Sequence, residues 1–88
     1  MKTAFRKSFE RDLRNLKDTA LLRKVKEKIE EIECAEDLQE VTNFKKITGA
    51  KSFFRIRIGN FRLGVAVEGD TVEFVRCLSR RDIYRHFP

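Results

Sequence analysis

The sequence predicts an α+β fold: two N-terminal helices packed on one face of a small antiparallel sheet. That sheet is a C-terminal three-stranded meander plus an N-terminal edge strand. Three observations predict it. Between Phe53 and Leu78 apolar and polar residues alternate around two turns, Gly59-Asn60 and Gly69-Asp70, a strong short-range hairpin signal. Between Phe9 and Ile32 the apolar residues fall instead at helical spacing. A meander with a single apolar face needs a cover, and amphipathic helices supply one. At 88 residues there is room for one core and not two, so residues 1–88 form a single domain.

Taken in order, Thr3 to Lys7 alternates around Phe5 and reads as a short edge strand. Ser8 is a plausible N-cap, with Glu10 and Asp12 in the first turn and Phe9, Leu13 and Leu16 on one face. Asp18 or Thr19 starts a longer helix whose stripe is Leu22, Val25, Ile29 and Ile32. Lys24, Lys26, Glu27, Glu30 and Glu31 mostly face water there, with Lys28 beside Glu31. Cys34 to Lys46 reads as a loop leading through Leu38 and Val41 to Phe44 and Ile47, and Gly49 marks a turn. After Ser79 the chain reads as a short helical turn or an irregular end.

Two-residue loops fix the meander's register. Ile58 then pairs with Phe61 and Glu68 with Thr71, so Phe54, Ile56 and Ile58 oppose Val65, Leu63 and Phe61 on one apolar face. Val67 and Val65 oppose Val72 and Phe74 on that same face. The other face carries Phe53, Arg55 and Arg57, then Arg62, Gly64 and Ala66, then Glu73, Val75, Cys77 and Ser79. Arg57 falls directly across from Arg62, an arrangement that destabilises a plain sheet unless an anion or water separates the charges. Gly64, Ala66 and Ser79 are small and leave room above the sheet for a ligand. Planar guanidinium forks match phosphate oxygens, so the cluster reads as a phosphate-binding surface. Arg76 resists this register, falling on the apolar face opposite Leu63; it either snorkels at the rim or marks a β-bulge.

Charge points the same way. The net charge of +6 and a pI near 9.7 suit a polyanion such as nucleic acid, although an acidic protein would fit the charge as well. From Lys51 onward seven of the eight basic residues are arginine, where lysine would serve solubility equally. Cys34 and Cys77 have no metal-motif spacing and are too few for a disulfide framework, so both read as reduced in a cytoplasmic protein. With His86 the single histidine, a Cys/His zinc site is excluded. There is no apolar run long enough for a membrane span, no N-terminal signal, no phosphate-cradling glycine loop and no nucleophile elbow.

A helical hairpin, then Phe44-Lys45-Lys46-Ile47-Thr48-Gly49, then Phe54-Arg55-Ile56-Arg57-Ile58-Gly59-Asn60-Phe61-Arg62-Leu63, then Arg80-Arg81-Asp82-Ile83-Tyr84, resembles the RelE/ParE toxin superfamily. The resemblance covers essentially the whole chain. It implies a toxin of a type II toxin–antitoxin pair that cleaves mRNA in the ribosomal A site. The ribose 2′-OH attacks the adjacent phosphate, leaving a cyclic phosphate and a 5′-OH, with no metal and no cofactor. The partners it implies are a cognate antitoxin, the ribosome and mRNA. Family positions match Arg55, Arg57, Arg62, Arg80 and Tyr84, and hairpin register independently assembles the first three of these.

On that resemblance, Arg62 and Arg80 hold the scissile phosphate, Arg57 aids the transition state, and Arg55, Lys46, Lys51 and Arg81 bind RNA. Tyr84 acts as base if the arginines depress its pKa, or else stacks on a splayed base. As the single imidazole of the chain, His86 is a second acid–base candidate. Three positions depart from the RelE pattern. Arginines Arg55 and Arg57 stand where RelE has lysines, and Ser79 stands where some relatives have a His. Two other functions fit the same fold: a ParE-like toxin that inhibits DNA gyrase by binding, and a non-catalytic homologue that binds RNA or its antitoxin.

Overall fold

A computed structural model describes residues 1–47 and 52–88. In chain order the elements are β1 (Lys2–Phe5), α1 (Lys7–Arg14), α2 (Thr19–Cys34), a 3₁₀ turn (Leu38–Glu40), β2 (Phe44–Lys46), β3 (Phe53–Ile58), β4 (Phe61–Glu68), β5 (Thr71–Ser79) and α3 (Arg80–His86). The α+β class and the helical cover are as expected. The sheet has five strands in the order β1-β5-β4-β3-β2. It is mixed rather than wholly antiparallel, because β1 runs parallel to β5. The expected turn at Gly49 and the side chain of Lys51 lie outside the described residues.

The hairpin registers are those the turns dictate. Ile58 pairs with Phe61, Arg57 with Arg62 and Phe54 with Val65, while Val67 pairs with Val72 and Glu68 with Thr71. Gly59 and Gly69 take φ of 56° and 61°, the left-handed first position that a two-residue hairpin loop needs. Between Gly64 and Val65 the register shifts: Val65 still faces Phe74, but Gly64 faces Arg76 and Leu63 faces Cys77. The bulge therefore sits at Val75, and it moves Cys77 and Ser79 off the arginine face onto the helix-covered one.

Helix α1 explains the bulge. Strand β1 pairs only with Thr71–Phe74 of β5, leaving the next stretch of that edge bare. There, side chains of α1 replace a strand: Ser8 Oγ donates to the Val75 carbonyl at 2.6 Å, and the Cys77 N–H donates to Asp12 Oδ2 at 2.9 Å. The same carboxylate receives Arg76 Nε at 2.8 Å and Nη2 at 3.3 Å. Ser8 is thus an edge cap rather than the helix N-cap, which falls at Arg6 without a side-chain bond. Asp18 does cap α2, its Oδ1 accepting from Leu21 N–H at 3.1 Å.

Two apolar layers result. Phe9, Leu21, Val25 and Ile32 from the helices close on Ile56, Leu63, Val65, Val72, Phe74 and Cys77. The buried stripe of α2 is Leu21, Val25, Lys28 and Ile32, turned slightly from the expected one so that Lys28 enters it. Its ammonium is matched there by Glu31 Oε1 at 2.8 Å and by Thr42 O and Oγ1, each at 3.1 Å. On the opposite sheet face, α3 packs Ile83 and Phe87 against Val75, Phe53, Ala66, Leu78 and Ile47. That face was expected to be open, with Gly64 and Ala66 making room for a ligand. The room is taken by the chain itself, since a Cβ at Gly64 would lie 2.7 Å from Phe87 Cγ. Burying Ile83 and Phe87 contributes roughly 1.5–3 kcal/mol each, enough to hold so short a helix in place.

Candidate phosphate-binding site

The arginine face that α3 leaves uncovered is a cavity of about 420 Å³, lined by Arg55, Arg57, Arg62 and Tyr84. Val41, Asn43, Phe44 and Lys45 complete the lining. Strand alternation delivers the arginines: Arg55 and Arg57 are two apart on β3, and Arg62 is directly across from Arg57 on β4. The hairpin turn between these strands then orders the rest. Arg62 Nη1 donates to the carbonyls of Gly59 at 3.0 Å and Phe61 at 2.8 Å, so its fork is held before any ligand arrives. Arg80 N–H donates to Asn60 O at 2.8 Å, which seats the start of α3 on the same turn. Ser79 caps α3 through Oγ, accepting from Asp82 N–H at 3.2 Å.

Electrostatics confirm how tightly the cations are gathered. Burial lowers the Arg62 pKa from its ordinary value; the Tyr84 phenol opposes this, and the charges of Arg57, Arg80 and Arg55 lower it further. The group stays charged in any case; burial is the main cause of the shift, and the neighbouring arginines add a repulsion that an anion would relieve. Arg55 Cζ sits 4.6 Å from the centre of the Tyr84 ring. This cation–π contact aims a side chain that is otherwise 65% exposed.

The structure brings together Arg55, Arg57, Arg62 and Tyr84, with Arg80 within electrostatic reach of Arg62. It does not bring His86 to the cavity: two residues beyond Tyr84, it lies about 200° further round α3 and is exposed. Arg81 is exposed and does not line the cavity. Lys46 falls on the other face of the sheet, paired with Phe54, whereas its neighbour Lys45 pairs with Arg55 and faces the cavity. Sequence reasoning passed over Lys45 and Asn43 because it had no strand there. The usable signal was Phe44 and Ile47, core residues on opposite faces, which place Lys45 with Ile47. Among the described residues no three of His, Cys, Asp and Glu gather as a metal site would, and the cavity lining offers no carboxylate. Among them, too, no helix is long and apolar enough to cross a membrane.

Residues 4–84 match the family described as "ParE toxin of type II toxin-antitoxin system, parDE". The chain belongs to the RelE/ParE toxin family. It is similar over its full length, and that of the relative, to Toxin RelE3 of Methanocaldococcus jannaschii, at 39% identity. Among solved structures it resembles a chain of the RelB–RelE antitoxin–toxin complex from Methanococcus jannaschii, at 38% identity and a TM-score of 0.82. That match covers 97% of this chain and 99% of the other. A chain of the RelBE2 toxin–antitoxin complex of Mycobacterium tuberculosis shares the fold at 24% identity, with a TM-score of 0.69 and 90% and 96% of the two chains covered. This protein is therefore a RelE-like toxin of a type II toxin–antitoxin system.

Proposed function

We propose that this toxin is a ribosome-dependent mRNA endonuclease, cutting in the A site by attack of a ribose 2′-OH on the adjacent phosphate. The observation that carries the reading is a carboxylate-free cavity in which guanidinium groups converge from two strands, with an aromatic ring at its mouth. In-line attack builds negative charge on the non-bridging phosphate oxygens, and fixed cations stabilise that charge without reorganising. Arg62, pre-tied to the hairpin turn, and Arg80 beside it take the scissile phosphate. Arg57, directly across from Arg62, adds charge in the transition state. Arg55 holds Tyr84, whose exposed ring stacks on a base turned out of its strand. Arg81, Lys46 and Lys51 add diffuse attraction to the RNA backbone. Among the described residues the lining offers no carboxylate, His or Cys, which supports an anion rather than a divalent cation as the ligand and a metal-independent cleavage.

The toxin acts in the cytoplasm, where ribosomes are, and a cognate antitoxin restrains it. Support for that partner comes from the similar RelE chain of Methanococcus jannaschii, whose structure is a RelB–RelE antitoxin–toxin complex. An acidic segment laid over the arginine cavity would neutralise the positive charge on which the reading depends.

Primer extension on mRNA programmed into ribosomes, with wild-type protein and with Arg62→Ala, tests the proposal. Discrete cuts at A-site codons, absent without ribosomes and lost in a folded Arg62→Ala variant, are expected. Cuts on naked RNA would remove the ribosome from the mechanism. A folded wild-type protein that cuts nothing would refute the nuclease. The second reading, a toxin that inhibits DNA gyrase by binding, is favoured by the ParE description of the matching family. Loss of plasmid supercoiling by purified gyrase at near-equal toxin would establish it.

A further inference from the structure

The arginines leave one chemical need unmet. Expulsion of the 5′ oxygen requires a proton, and a guanidinium does not give one up at physiological pH. Tyr84 presents a phenol at the cavity, its ring held beside Arg55 and given to stacking on a base in the reading above. One other titratable side chain lines the cavity, Lys45 on β2.

Its placement is built, not incidental. Lys45 is the middle residue of β2 and pairs directly with Arg55, so its side chain rises from the same sheet face as Arg55 and Arg57. The strand is anchored at both ends: Phe44 packs against Phe54 in a tilted pair with ring centroids 4.8 Å apart, and Ile47 N–H donates to the Phe53 carbonyl at 3.0 Å. Upstream, Glu31 Oε2 accepts from Thr42 N–H at 3.2 Å while Lys28 binds the Thr42 carbonyl. Asn43 follows in the left-handed region at φ 62°, and its carbonyl accepts from Arg57 N–H at 3.1 Å. This arrangement sets two like-charged cross-strand pairs side by side, Lys45 with Arg55 and Arg57 with Arg62. Each costs stability in a bare sheet, and an anion spanning the cavity relieves both.

We infer that Lys45 is the general acid of the cleavage, donating the proton from its ammonium to the 5′ oxygen as that oxygen leaves phosphorus. The inference rests on the endonuclease reading. The 2′-OH proton passes to water, the 2′ oxygen bonds to phosphorus, and the bond from phosphorus to the 5′ oxygen breaks. That oxygen keeps the electron pair and takes the Lys45 proton. The amine recovers a proton from solvent, so the phosphodiester is isomerised to a cyclic phosphate and a 5′-OH with nothing else consumed.

The test uses ribosome-bound mRNA whose scissile 5′ oxygen is replaced by sulfur, beside the ordinary message. A thiolate leaves without protonation, so removal of a general acid ceases to matter. On the oxygen substrate Lys45→Gln and Lys45→Arg should each slow single-turnover cleavage by about 100-fold or more. On the sulfur substrate both should come within a few-fold of wild type. Lys45→Arg keeps the charge, so a purely electrostatic role would leave it active on oxygen and would overturn the inference. An equal loss on both substrates would also overturn it, as would no loss on either. Arg62→Ala should be slow on both. If wild-type protein cuts neither message, the endonuclease reading itself fails; if wild type cuts and the Lys45 variants cut equally well, only the assignment of Lys45 fails.

Discussion

Adding one methyl group at Gly64 should loosen the helix that carries Tyr84. A Cβ there would lie 2.7 Å from Phe87 Cγ and 2.8 Å from Cδ1 and Cδ2. No side chain sits that close to a carbon, so strand or ring must give. The strand is central and paired on both sides, so the ring moves. A shift of the buried ring within its layer is ordinary overpacking, costing about 1–3 kcal/mol. Expelling it altogether forfeits the burial of one Phe side chain, roughly 1.5–3 kcal/mol. The two routes bracket the same range. For a domain of this size each kcal/mol is worth about 4–8 °C, so Gly64→Ala should lower Tm by roughly 5–20 °C in a calorimetric scan. In a Phe87→Ala background the same substitution should cost far less, because its obstacle is gone. A fall of less than about 2 °C, or an equal fall in both backgrounds, would refute the reasoning.

Other outcomes follow from the same geometry. Asp12→Ala strips the Arg76 guanidinium and the Cys77 N–H of their shared partner, and should destabilise by about 3 kcal/mol in urea unfolding. Burial, with the nearby Asp12 charge, pushes the Cys77 thiol up to about 12. Aromatic disulfide reagents at pH 8 should therefore titrate Cys34 alone until the protein is unfolded. Because the folded-state value is the higher one, the stability held by the neutral Cys77 thiol is full below the unfolded pKa near 9 and is lost toward pH 12. Around Glu31, burial alone would raise the pKa, but hydrogen bonds from Lys28 and the Thr42 N–H outweigh it and leave it below the ordinary value. Its stabilisation is present above about pH 4.5 and is lost as pH falls through the lowered value, a loss that Glu31→Gln should abolish in an acid titration of stability. Finally, Arg57→Ser relieves the pair with Arg62 and should raise Tm by a few degrees, and on the endonuclease reading it should also end cleavage. Sulfate should stabilise wild type more than this variant at equal ionic strength.

Much of the site could be read from the chain because hairpin register is local. A glycine loop and strict alternation fix Arg55, Arg57 and Arg62 on one face with no knowledge of the rest of the fold. What could not be read depends on distant residues. The bulge at Val75 is set by Ser8 and Asp12, more than sixty positions earlier, and nothing near Val75 announces it. The three residues of β2 are too few for a period to show, so Lys45 went unplaced and Lys46 was favoured instead. Gly64 looked like space for a ligand because Phe87 lies beyond the meander, in a segment whose own pattern is only seven residues of helix. Lys28 joined a buried stripe because Glu31 and Thr42 together satisfy its charge, which helical periodicity alone does not anticipate.

Strand β5 is where the earliest and latest elements of the fold meet. It pairs with β1, is capped by α1 and leads straight into α3. A chain made from its N-terminus therefore holds Lys2–Phe5 without a partner until Thr71–Phe74 exists, and Tyr84 comes later still. Until then the arginines of β3 and β4 have neither the Arg80 charge nor the aromatic ring beside them. The cationic cavity is thus the last part of the molecule to be completed, and a growing chain carries its arginines well before it has the site they form.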